Sequence, residues 1–157
     1  PSTVHMSIEG RPIVVRAWQH EITGFSGYVV PLLFLDTNVE ENEPADRDLT
    51  RELYGGDERY RLAQEILLGI GGVRMLRALG YTHIERFHMN EGHAALLTLE
   101  LLRERQQSEP AAWDFEGVRR ACIFTTHTPV PAGHDQFSYG LVRELFGDTA
   151  PLEVLQM

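Results

Sequence analysis

The chain contains no lysine. Its cationic side chains are 14 arginines, set against 23 aspartates and glutamates, for a formal charge of −9 over 157 residues. The absence excludes an imine between this chain and pyridoxal phosphate, which needs a lysine amine. It also excludes a Walker-type phosphate loop, whose lysine reaches the phosphates. A cofactor bound in either way would have to be held by other chain segments. Cysteine is almost as scarce: Cys122 stands alone, so no internal bridge can form, which fits a reducing compartment, and a cytoplasmic location is expected. No apolar run approaches the roughly 18–20 residues of a membrane span. Residues Pro1 to His5 offer neither the basic nor the apolar region of a secretory signal. With acid in excess there is no cationic cluster to neutralise phosphates, so no nucleic-acid partner is expected. A G-x-S-x-G elbow is absent and Cys122 sits in an apolar run, which leaves nucleophilic hydrolysis without its residues.

What is present suits one domain over residues 1–157. A chain of about 150 residues buries roughly 68–70% of its unfolded surface, enough for a core without disulfides. Two runs rich in β-branched and aromatic residues, Pro12 to Trp18 and Tyr28 to Leu35, flank the Gly-punctuated Thr23-Gly24-Phe25-Ser26-Gly27. They predict an antiparallel hairpin over 11–36, with Pro31 marking an edge strand or a bulge. Residues 37–59 form an acidic loop with a helical turn or two near Arg47 to Leu53, closed by Tyr54-Gly55-Gly56-Asp57. Such a stretch reads as a solvated face or as a mobile gate over a site.

An α/β core is expected over 60–147. Leu62, Ile66, Gly69, Val73 and Leu76 step by four, three, four and three, the seam of a helix. Gly69, Gly71 and Gly72 lie inside it, each costing about 1 kcal/mol relative to alanine. Close approach of a neighbouring backbone would offset that cost. A dinucleotide loop does not fit, because the third glycine of G-x-G-x-x-G is missing and no strand precedes the run. Ile84 to Met89 reads as a strand, and Asn90 as the cap of a helix running to about Arg105. A short helix over Asp114 to Arg120 leads to a buried strand, Ala121 to Thr126. A last helix starts at Gly133-His134-Asp135 and is closed by Gly147. This order suits part of a parallel α/β sheet.

In open α/β sheets ligands bind beyond the carboxyl ends of strands. Two such ends are His88-Met89-Asn90-Glu91-Gly92-His93 and the run from Thr125 to Asp135, which together hold four of the seven histidines, His88, His93, His127 and His134. Asn90, Glu91 and His93 bring amide, carboxylate and imidazole to one turn, groups suited to sugar hydroxyls, with backbone N–H groups beside them. Pro129 and Pro131 stiffen the second segment, so that His127 and its carbonyl can be aimed at a ligand. The plainer readings are a capped helix and a polar group satisfied at a strand end. His88, Glu91, His93, His127, His134 and Asp135 include zinc and iron ligand types. Their H-x-x-E-x-H spacing is not the i, i+4 pair of a helical site, and no metal is expected. A non-catalytic carbohydrate-binding module and a metal-dependent hydrolase stay open as alternatives.

The segments His88-Met89-Asn90-Glu91-Gly92-His93-Ala94-Ala95 and Thr125-Thr126-His127-Thr128-Pro129-Val130-Pro131-Ala132-Gly133-His134-Asp135 resemble the α-glucan phosphorylases, most closely the shorter bacterial and archaeal branch. Tyr60-Arg61-Leu62-Ala63-Gln64-Glu65 is similar to the family's arginine-leucine-lysine-glutamine-glutamate segment, with Ala63 in the lysine position. The run from Gly27 to Asp57 resembles that branch too. The resemblance implies a partial Rossmann-like lobe of a two-lobed, GT-B type, retaining glycosyltransferase, corresponding to the later part of the N-terminal lobe. The C-terminal lobe and an upstream Gly-rich loop would lie outside it. The implied reaction moves the terminal glucosyl unit of an α-1,4-glucan to inorganic phosphate, giving glucose 1-phosphate. Pyridoxal phosphate would act through its phosphate group, on a lysine of the C-terminal lobe, with no cofactor-binding residue here. The resemblance makes His127 the catalytic residue, its ring at the glucosyl 6-hydroxyl and its carbonyl near the developing oxocarbenium charge. Asn90, Glu91, His93, His127 and Thr128 would bind substrate, and Asp57 would sit on the loop that gates the entrance. Thr126 replaces the asparagine of the longer enzymes, and Gly133-His134-Asp135 departs from their pattern. A partial lobe exposes apolar surface, so homo-oligomers are an expectation, and the fragment alone should be inactive.

Overall fold

The structure is a computed structural model that describes residues 2–53, 55–108, 113–130, 134–147 and 154. It is a mixed α/β arrangement with two separate sheets. Strands β1 (Thr3–Ile8), β2 (Arg11–Thr23) and β3 (Val29–Asp36) form an antiparallel sheet in that order. Strand β1 adds a third strand to the hairpin expected over 11–36, and its alternation is plain: Val4, Met6 and Ile8 are buried between more exposed neighbours. Glu9 and Gly10 turn it into β2 with φ of 54° and 73°, the pair of positive values that a two-residue I′ hairpin requires. Strand β3 lies at the sheet edge, where Pro31 can sit opposite Glu21 without a missing ladder donor mattering. Near the sheet's inner end, Asp36 accepts from Arg16 Nε at 2.8 Å and from Trp18 Nε1 at 2.9 Å. The guanidinium of Arg16 lies over the Trp18 ring, 4.9 Å from its centroid.

The acidic segment is not a free loop. Asn42 is buried, and its side chain acts as a strand-edge partner for β2: Oδ1 accepts from Val14 N at 2.8 Å, while Nδ2 donates to Val14 O and Thr37 O, both at 2.7 Å. Helix α1 (Pro44–Arg47) runs into a 3-10 turn, Asp48–Thr50. Its Asp46 is 2% exposed and takes a two-pronged contact from Arg11, Nε at 3.1 Å and Nη2 at 2.9 Å. That fork geometry suits guanidinium and carboxylate. The acidic loop 37–59 is therefore tied to β2 through Asn42 and Asp46 and is not a wholly solvated face.

Helix α2 (Glu58–Ile66), a π-type segment (Leu67–Gly71) and α3 (Gly72–Ala78) follow without a break. Leu62, Ile66, Leu67 and Ile70 pack with β1, β2 and α6 (Tyr139–Phe146) in one apolar cluster. Val73 joins a second with β4 (Phe87–Asn90), α4 (Leu97–Ser108) and α5 (Phe115–Ala121). Gly69 allows the close approach expected of it. A Cβ there would lie 2.7 Å from Leu97 N and 2.9 Å from Leu96 C. Two arginines bridge α3 to α4: Arg74 grips the buried Glu100 at 2.9 and 3.0 Å, and Arg77 grips Glu104 at 3.0 and 2.9 Å.

Strand β5 (Cys122–Thr125) pairs parallel with β4, joined through α4 and α5. Several expectations need correction. Asn90 ends β4 rather than capping a helix; a 3-10 turn (Gly92–Ala94) intervenes before α4. Strand β5 is not buried, because only one strand lies beside it among the described residues, and Ile123 and Phe124 are 46% and 53% exposed. The last helix begins at Tyr139, where Ser138 Oγ accepts from Leu141 N, so His134 and Asp135 lie in the loop before it. Tyr54, Pro131 and the expected helix start at Gly133 fall outside the described residues.

Candidate functional site

The parallel ladder brings the two histidine-rich strand ends side by side, with Asn90 opposite Thr125. Strand β4 alternates, Phe87 and Met89 inward, His88 and Asn90 outward. The two outward side chains therefore share one face. His88 Nε2 lies 2.6 Å from Thr125 Oγ1. The ladder then ends abruptly. Glu91 N still donates to Thr125 O at 2.8 Å, but Glu91 itself takes φ 61°, a left-handed conformation unfavourable for a residue with a Cβ.

That turn sends the Glu91 side chain across to the other segment. Its Oε1 accepts from the backbone N–H of His127 at 2.7 Å and of Thr128 at 2.8 Å. The residue is 3% exposed, and Oε2 is buried without a hydrogen-bond partner. The His127 amide first, and then that of Thr128 against the opposing effect of burial, hold the Glu91 carboxyl down to about 2. Glu91 is thus a fixed negative charge that shapes the His127–Thr128 backbone.

The imidazole of His127 is exposed and held from both sides. Nδ1 is 3.2 Å from Glu91 Oε1, and Nε2 is 2.9 Å from the Asn90 side-chain oxygen. Asn90 can present either end of its amide. A neutral ring is satisfied when Nδ1–H faces Glu91 and the Asn90 amide group donates to Nε2. His134 Nε2 lies 3.0 Å from Thr128 O, closing the segment from its far side.

His93 points elsewhere. Its Nδ1 is 3.9 Å from Glu65 Oε1 on α2 and 3.8 Å from Asp135 Oδ2. Arg61, one turn earlier on α2, pairs with Asp135. Burial, and next the contact with Asp135, pushes Glu65 up to about 7. Asp135 stays below the ordinary carboxylate range: burial would raise it, but Arg61 and Glu65 outweigh that. The arrangement brings Asn90, Glu91, His127 and Thr128 together, with His93 next to them in the chain. Asp57 stands apart. It caps α2, accepting from Tyr60 N at 2.9 Å, and lies about 12 Å along the helix from Glu65 at 1.5 Å per residue. Asp57 lines a different cavity of about 170 Å³ with Arg11, Asp46 and Leu145.

Sequence reasoning missed Glu65 and Arg61 as members of this neighbourhood. The available signal was a glutamate immediately before Ile66, on the apolar side of a helix seam, four residues after an arginine. Among the expected metal-ligand types, only His93 and Asp135 meet in the one potential ligand cluster of the described residues, and Glu65 completes it.

No family model matches the chain. Individual proteins do. It is 49% identical over 129 residues to the glycogen phosphorylase of Mycobacterium tuberculosis, covering 76% of this chain and 14% of that protein. It is 40% identical over 147 residues to the maltodextrin phosphorylase of Thermococcus litoralis, covering 87% and 16%. It is 37% identical over 118 residues to the glycogen phosphorylase of Aquifex aeolicus, covering 73% and 17%. The chain therefore matches about a sixth of the length of these relatives. With those identities it belongs to the glycogen and maltodextrin phosphorylase family, as a counterpart of one segment of its members.

Proposed function

We propose that this chain supplies glucosyl-binding groups to an α-glucan phosphorylase, a retaining enzyme that transfers the terminal glucosyl unit of an α-1,4-glucan to inorganic phosphate. In this reading the chain is part of a Rossmann-like lobe of a GT-B enzyme and works with a C-terminal lobe. One observation carries it. The buried Glu91 carboxylate takes both the His127 and Thr128 amides, at 2.7 and 2.8 Å, so the His127 backbone is aimed before any sugar arrives.

Preorganisation of this kind is what electrostatic catalysis needs, because a fixed carbonyl dipole need not reorient as charge develops. The His127 carbonyl would face the positive charge of the glucosyl ring, and the His127 ring would hold the 6-hydroxyl. The exposed Asn90 amide and Thr128 would add hydrogen bonds, with Glu91 acting through the backbone it holds rather than by touching sugar. Pyridoxal phosphate does not fit this chain as a covalent guest, since the sequence has no lysine; the rest of the enzyme would carry it. Large side chains along the outer part of the first sheet, among them Trp18, Phe25, Tyr28 and Phe34, are exposed, which supports association with further polypeptide or self-association.

The test is His127→Ala in the full-length enzyme, with phosphorolysis and glucan binding measured separately. Turnover should fall by roughly 10²–10³-fold, the range for removing a group that serves the transition state, with a much smaller change in glucan affinity. Unchanged turnover rejects the role.

A further inference from the structure

Beside the Asn90–His127 contact lies a charged cluster that the proposed glucosyl transfer leaves unused. Glu65, in the last turn of α2, is 9% exposed, and its Oε1 is buried with no hydrogen-bond partner. The ligand atoms of Glu65, His93 and Asp135 lie within 4.8 Å of one another. Among the described residues, the charged and titratable groups facing Glu65 are Arg61 on its own helix, His93 in the 3-10 turn and Asp135 in the loop before α6. The Arg61 guanidinium pairs with Asp135 and reaches Glu65 through its charge.

Both carboxylates cannot comfortably be charged. A second negative charge beside the first raises the energy of both, and a buried oxygen without a donor keeps its full desolvation penalty. A single proton removes both problems. It turns Glu65 into a donor, supplies the missing hydrogen bond and leaves one negative charge to match Arg61.

We propose that Glu65 is a proton-bearing positioning residue: in its acid form it donates to Asp135, and the resulting pair, anchored by Arg61, sets the ring orientation of His93. The direction of the titration agrees, with Glu65 pushed up by burial and by Asp135, and Asp135 held low by Arg61 and Glu65 against burial. Loss of the proton places a further negative charge 3.9 Å from His93 Nδ1. His93 is two residues from Glu91, so the charge change reaches the turn that holds His127. The importance of His93 to a sugar rests on the phosphorylase reading; the shared proton does not.

Carboxyl-carbon NMR of the 157-residue chain reads the proton directly. Glu65 should titrate with a midpoint near 7, and Asp135→Asn should move that midpoint down by at least about one unit, as removal of a like charge does. The ring nitrogen shifts of His93 should change in step with Glu65, and Glu65→Gln should abolish that step while leaving the ring signals of the other histidines as they are in the parent. A Glu65 midpoint below about 5, the ordinary carboxylate range, overturns the proposal without needing any variant. One-to-one binding of added Zn2+ at the three side chains overturns it too, since a cation would then take the proton's place. In the full-length enzyme, Glu65→Gln should hold its phosphorolysis rate from pH 6 to 8 while the parent rate declines through about pH 7. A parent profile that Glu65→Gln leaves unaltered rejects the positioning role. The carboxyl titration involves no turnover, so its failure and the failure of the phosphorylase reading are separate results.

Discussion

Replacing Gly69 by alanine tests the packing that supports the site. The glycine belongs to the π-type segment, where the start of α4 crosses closely. An added Cβ would sit 2.7 Å from Leu97 N, 2.9 Å from Leu96 C and 3.0 Å from Leu96 Cβ. Comfortable carbon contacts begin near 3.5 Å, so α4 or the π-type segment must give by roughly 0.8 Å against that contact distance. Two of the three atoms are backbone, which cannot rotate away. Overpacking of this kind costs about 1–3 kcal/mol, and alanine recovers about 1 kcal/mol of helix preference. The net expectation lies between no change and a loss of about 2 kcal/mol, the balance of those two effects. Gly72 is the internal control. Its Cβ would meet only Leu35 Cδ1, at 4.0 Å, so Gly72→Ala should gain up to about 1 kcal/mol. Thermal unfolding by circular dichroism, supported by urea midpoints, should separate the two variants. The helix preference is common to both variants, so the gap is the overpacking cost of about 1–3 kcal/mol, or about 2–12 °C at roughly 2–4 °C per kcal/mol for chains of this size. Equal or greater stability of Gly69→Ala relative to Gly72→Ala would refute the steric argument. The shift also bears on function, because α4 begins just after the turn that carries His93.

Other outcomes follow from the same contacts. Asp57→Ala removes the acceptor for Tyr60 N and should cost about 1 kcal/mol, the usual value of such a cap, with faster amide exchange confined to the first turn of α2; an unchanged urea midpoint would reject the cap. Glu100 is 1% exposed and accepts from Arg74 and Arg103, so Glu100→Ala should cost about 3 kcal/mol by stranding two arginines. Burial raises Glu100, but Arg103 and Arg74 more than reverse it, and its carboxyl lies below the ordinary range. Its stabilisation is therefore complete above that range and lost as pH falls through the lowered value. The stability difference between parent and Glu100→Ala should shrink on acidification, and a difference independent of pH would refute the assignment.

Much of the local structure is legible in residue order. The β-branched runs anticipate β2 and β3, Pro31 marks the edge, and the Leu62-to-Leu76 seam anticipates the long helical stretch. Alternation of Val4, Met6 and Ile8, followed by Glu9-Gly10, carries β1 equally well. These features are readable because backbone periodicity and turn chemistry are properties of neighbouring residues. Asn90 shows the limit. Asparagine before glutamate favours a helix cap locally, but parallel pairing with Thr125 extends the strand, and bonds to the His127 and Thr128 amides draw Glu91 into a left-handed turn. Asp46 is similar: acidic surroundings suggest a solvated loop, while Arg11, 35 residues away, draws it inside.

Composition and motif order by themselves determined that this chain is acidic, lacks a lysine for imine chemistry, and carries two histidine-rich segments at strand ends. Only the tertiary structure decided that Glu91 grips the His127 backbone, that Asp57 caps the opposite end of the helix that carries Glu65, and that Glu65 and Asp135 flank His93, with Arg61 on Asp135. The reason is physical. Helix and strand periods are set by neighbours along the chain, whereas the partner of a buried charge is whichever group the packed fold brings within a few ångströms.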